Sequence, residues 1–254
     1  MHQFIIIVKH YLLRSILDPL NTIILLLLPL ALMLVNTLLG QALGIDFEDV
    51  MVLSSTAMFM LGAFQIFSPL QHYYLFSDFQ SSMRFRLYSA PISKTKFIIS
   101  MGFAGWLHTV FIGLFFIFIA SILFNVQWGN VFAVALALFL LSVFAQLVSV
   151  FLFFILPTRG AAEAGVQFVG WSTMILSGGI VNIGNNAFTE FLGMYGTPIS
   201  LAGWGMFSAS FPDADFGLPN KMAAPWLYFA ILAAFVGVFA IITVIAGMLC
   251  KKEI

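Results

Sequence analysis

Polar positions along this chain are sparse and bunched, and between them run apolar stretches at about 22–42, 50–75, 97–124, 131–156, 164–183 and 225–249. None of these six holds an internal Asp, Glu, Lys or Arg, each of which would cost about 2.5–3.5 kcal/mol near mid-membrane. A bilayer core of about 30 Å takes roughly 20 residues of helix, so every stretch is predicted to cross. Pro29 and Pro69 fall inside the first two and predict bends there.

Three segments outside these runs carry their own patterns. At 3–17, Phe4, Val8, Tyr11, Leu12 and Ile16 recur at helical spacing beside His10 and Arg14, which predicts a helix lying in the membrane interface within the first 20 residues. At 77–96, SDFQSSMRFRLYSAPISKTK is longer than a connection between adjacent spans needs and predicts a short helix bounded by Pro91. The third, 184–224, is too interrupted to cross and too apolar to float free. There Thr197-Pro198 reads as a cap followed by proline in a first helical turn, and Ile199, Leu201, Ala202, Trp204 and Phe207 continue the pattern. A re-entrant helix of this kind must be sheltered by its neighbours.

Composition agrees with lipid as the solvent. Of 254 residues, 62% are hydrophobic and 8% charged, with mean hydropathy +1.08, far more apolar surface than one water-soluble core would bury. The formal net charge of zero hides an asymmetry. With the amino terminus inside, Lys9, Arg14, Arg84, Arg86, Lys94, Lys96, Arg159, Lys251 and Lys252 fall on the cytoplasmic side and only Lys221 falls outside. The expected placement is a multi-pass plasma-membrane protein with both termini cytoplasmic. Lys and Arg form no denser cluster than pairs, so nucleic acid is not an expected partner. The single Cys250 has no partner for a disulfide or metal site, and the charged amino terminus does not read as a cleaved signal peptide.

Two motif questions bear on energy. LSGGI at 176–180 matches the start of the signature by which transporter ATPases touch nucleotide, but the chain has no Gly-Lys pair and therefore no phosphate loop. The match reads as small residues at a span's outer end. Metal-hydrolase and serine-nucleophile constellations are missing from the sequence too, so no enzyme activity, cofactor or metal is expected in this chain.

The segment MRFRLYSAPISKTKFIISM, set among these spans, resembles the permease subunits of ABC-2 type exporters. Arg86, Leu87, Ala90, Pro91 and Ser93 follow the order of that family's coupling helix between spans two and three, and Ser177, Gly178 and Pro198 match its Ser-Gly pair and outer-segment proline. The acidic element ahead of the coupling helix and a Leu-Pro pair in the outer segment are not matched. The resemblance implies a single all-α membrane domain over 1–254: six transmembrane helices, an amino-terminal interfacial helix, a cytoplasmic coupling helix in 77–96, and re-entrant outer helices in 184–224. It also implies two separate ATPase subunits carrying ATP and Mg, a second permease copy or homologue, and a path between spans two and five.

Site expectations follow. Arg84, Phe85, Arg86, Leu87, Tyr88, Pro91, Ser93 and Lys94 would contact the ATPase, with the basic residues also holding the loop inside. Phe59, Phe64, Gln65, Phe67, Gln167, Trp171 and Met174 would line the path or gate. Gln65, His108, Gln146 and Gln167 are polar groups in or near spans that also suit interhelical hydrogen bonding. The expected function is the permease half of an ATP-driven exporter of hydrophobic or amphipathic cargo, such as a peptide toxin, antimicrobial peptide, drug or lipid. A self-sufficient channel or carrier, and a peptide-binding sensor or immunity protein, are the alternatives.

Overall fold

The structure is a computed structural model that describes residues 2–18, 29–35, 50–69, 71–80, 93–177, 186–212 and 224–249, with single positions at 23, 27 and 38. Its described elements are helices: α1 (His2–Ile16), α2 (Val50–Phe67), α3 (Gln71–Gln80), α4 (Lys94–Phe124), α5 (Val131–Ile155), α6 (Arg159–Leu176), α7 (Ala187–Tyr195), α8 (Pro198–Ser210) and α9 (Pro225–Leu249). Among the described residues, α4, α5 and α9 are long and apolar enough to cross a membrane, which makes this a membrane-embedded protein, and the described elements are all helical.

Sequence punctuation sets five helix starts and one helix end. Ser93, Asn130, Thr158, Asn186 and Thr197 each turn an oxygen onto the first free amides of the helix that follows. Thr197 caps α8 and Pro198 opens it, as expected. Asn125, at φ 54°, closes α4 in the left-handed region. In the tight link from α4 to α5, Gly129 has φ 57°, and a Cβ there would strike Ser210. That closeness is used: Ser210 Oγ donates to Trp128 O at 2.9 Å and accepts from Asn130 N at 3.1 Å, pinning the link to the end of α8.

Two boundaries differ from the pattern in the sequence. The stretch 50–75 is two helices, because the Ser68-Pro69 pair is non-helical and α3 restarts at Gln71. The stretch 164–183 begins earlier, with Arg159 and Glu163 inside the first turns of α6, and the helix ends at Leu176. In α1 the row buried within the protein is Ile7, Tyr11 and Ser15, against α4 and α3, while Phe4 and Ile16 of the apolar row read from the sequence are exposed.

The centre belongs to α2 and α8. Residues 57–66 of α2 are buried all round, enclosed by α4, α5, α6 and α8. α8 is sheltered in the same way by α2, α5, α7 and α9, and its Gly203 lies flat beneath the ring of Phe59. Outward, α4 and α9 show Phe111, Phe118, Ile122, Val238, Ile241 and Ile245 to the surroundings, the surface a bilayer would cover.

Candidate functional site

The expected path residues are divided by the tertiary structure. Phe59 meets Trp204 edge-on, with ring centres 5.5 Å apart, and Phe64 stacks on Phe116 at 6.1 Å. Both point into the bundle, as does buried Met174. Phe67 crosses to α6, where Gly170 gives its ring room and Trp171 lies against its edge at 5.4 Å. Gln167 and Trp171 themselves lie on an exposed face of α6, Trp171 with 47% of its surface open. The seven residues thus form an inner group and an outer pair joined through the Phe67–Trp171 contact.

Gln65 is fully buried at the junction of α2, α4 and α5. Its Oε1 accepts from Ser142 Oγ at 2.7 Å and its Nε2 donates to Thr109 O at 3.4 Å. Ser68 Oγ is 3.1 Å from Thr109 Oγ1, and Gln146 Nε2 donates to the same oxygen at 2.9 Å. Gly113 makes the space: a Cβ there would run into the Gln65 amide and Leu138. The network therefore supports the interhelical role expected for Gln65 and Gln146, whereas Gln167 is outside it. Thr109, Ser68 and Ser142 were not singled out from sequence, although small hydroxyl residues within apolar runs are the available signal. His108 is buried beside the network with Nε2 making no hydrogen bond among the described residues.

A second cluster joins α1 to α3. Arg14 Nη1 lies 3.0 Å from Asp78 Oδ1, and the Tyr11 hydroxyl donates to Asp78 Oδ2. The Arg14 guanidinium also covers the Tyr74 ring, 4.4 Å from its centre. Burial, and then the bond and charge of Asp78, push the Tyr11 hydroxyl well above the ordinary tyrosine range. Burial works against the charged form of Arg14, but the hydrogen bond and charge of Asp78 outweigh it and raise its pKa. Asp78 was not foreseen as a partner of the interfacial helix, since 64 residues separate it from Arg14.

Of the expected ATPase contacts, Arg84, Phe85, Arg86, Leu87, Tyr88 and Pro91 lie outside the described residues. Ser93 caps α4, and Lys94 is exposed in its first turn. Gly178 also lies outside them. Compared with known proteins, the chain matches no family model and no curated protein sequence.

Proposed function

We propose that this chain is the permease subunit of an ATP-driven exporter of the ABC-2 type, with six spans, both termini cytoplasmic, and its site in the plasma membrane. The observation that carries this reading is α8: a short helix buried between α2, α5 and α9, preceded by α7, which fits the re-entrant outer pair such a permease carries before its last span. The side-on packing of α1 against α4 and its ion pair to α3 add support, because they suit an interfacial helix bound to the segment just before the coupling region.

In this reading two ATPase subunits supply ATP and Mg and press on 84–94. The push travels through α3 and α4, and a space between α2 and α6, completed by a second permease, opens outward. The exposed Gln167 and Trp171 face that space. The apolar, aromatic wall suits hydrophobic or amphipathic cargo such as a peptide or drug.

Affinity purification of the tagged full chain from its own membrane tests the reading. A nucleotide-hydrolysing subunit is expected to co-purify and to be lost on combining Arg86→Ala with Tyr88→Ala. Flux of an amphipathic peptide in liposomes holding this chain alone, with no ATP, would overturn it.

A further inference from the structure

Where α1 meets α3, a cavity of about 610 Å³ is lined by His10, Leu13, Arg14, Leu17, Asp18, Tyr73 and Tyr74. We infer that it is a binding site for the headgroup of a zwitterionic aminophospholipid, with the phosphate toward Arg14 and Arg159 and the ammonium toward Asp18.

The charges around the cavity lead to this class of ligand. Adjacent rings hold two guanidinium groups: Arg14 lies 4.4 Å from the centre of Tyr74, Arg159 lies 3.6 Å from that of Tyr73, and the ring centres are 5.4 Å apart. Arg14 is answered by Asp78, whereas Arg159, which lies against the lining residue Tyr73 from outside the cavity wall, is exposed and makes no ion pair among the described residues. A guanidinium packed over an aromatic ring still has N–H donors to offer a phosphate oxygen, and no ion pair among the described residues uses those of Arg159. Asp18 supplies the opposite charge within the cavity wall. A carboxylate has about four lone-pair positions, so Asp18 can take an ammonium beside the partner it already has.

The lining itself carries one guanidinium, Arg14, and one carboxylate, Asp18, which disfavours a purely anionic headgroup and suits one carrying both signs. Leu13 and Leu17 continue the cavity outward, 47% and 74% exposed, beside Ile16. They offer an apolar track for an acyl chain at the depth where an interfacial helix lies. This inference concerns membrane lipid alone and stands apart from the ATPase assignment.

Native mass spectrometry of the full chain in detergent, titrated with dihexanoyl phosphatidylethanolamine, phosphatidylcholine and phosphatidylglycerol, reads the site directly. Phosphatidylethanolamine is expected to bind tightest. Arg159→Gln is expected to weaken it about tenfold, the effect of losing one charge-assisted hydrogen bond. Asp18→Asn is expected to weaken phosphatidylethanolamine while strengthening phosphatidylglycerol, a reversal that general loss of fold cannot produce. Glycerophosphoethanolamine, which lacks acyl chains, is expected to bind far more weakly. Equal retention of all three lipids, a wild-type preference for phosphatidylglycerol, unchanged selectivity in Asp18→Asn, or equal binding of the chain-free headgroup would each overturn the proposal.

Discussion

Arg14 and Asp78 form an ion pair at 3.0 Å in which the carboxylate is almost fully buried and the guanidinium keeps about a third of its side-chain surface open. The pair fastens the interfacial helix to the segment that follows the Ser68-Pro69 break. Removing Arg14 leaves Asp78 buried without its counter-charge, so Arg14→Ala is expected to lower stability by about 2–3 kcal/mol. That is less than the 3–5 of a fully buried pair, because Arg14 is partly in solvent. The double change Arg14→Met with Asp78→Leu is expected to recover most of the loss, since it removes the stranded charge as well. Thermal unfolding in one detergent checks both.

Tyr11 gives the same cluster a pH signature. Its folded-state pKa lies above the unfolded value of about 10, so its contribution is complete below pH 10 and declines as pH rises toward the folded value. Stability is therefore expected to fall above pH 10, and Tyr11→Phe is expected to flatten that fall. Ultraviolet titration of tyrosinate should show fewer ionisations near pH 10 for the folded wild type than for unfolded chain, Tyr74 being raised by burial as well as Tyr11. Equal titration of folded and unfolded protein would contradict this.

Gly113 and Gly102 share helix α4 and separate a packing effect from a helix-propensity effect. A Cβ on Gly113 meets the Gln65 amide and Leu138, whereas a Cβ on Gly102 meets nothing within 4 Å. Gly113→Ala is expected to cost about 1–3 kcal/mol through overpacking. Gly102→Ala is expected to stay within about 0.5 kcal/mol of wild type or to stabilise. Denaturation midpoints of the two variants, measured side by side, decide the point.

Gln65 and Trp171 predict opposite balances of stability and transport. In a double-mutant cycle, Gln65→Leu and Ser142→Ala are expected to couple by about 0.6–1.7 kcal/mol, the range of interhelical hydrogen bonds in membranes. Trp171→Ala, at a half-exposed site, is expected to change stability by about 1 kcal/mol or less. Under the proposed function it is nonetheless expected to reduce cargo flux several-fold at unchanged ATPase binding, as measured in vesicles containing the whole complex. Flux unaffected by both Trp171→Ala and Gln167→Ala would place the path elsewhere.

The sequence by itself determined what solvent surrounds the long helices and where several of them start. Thr197-Pro198 announces the cap and first turn of α8, and the charge-free runs at 97–124, 131–156 and 225–249 match α4, α5 and α9 closely, because capping and lipid partition are local properties of the chain. The shelter that an apolar α8 requires was legible for the same reason. Only the tertiary structure decided which row of α1 is buried, that Ser68-Pro69 separates two helices, and that Asp78 answers Arg14. It also decided that Gln65 turns inward to Ser142 while Gln167 and Trp171 face out. These outcomes depend on which faces of distant helices meet. An apolar helix in lipid has apolar residues on every side, so its hydrophobic pattern carries almost no record of that choice.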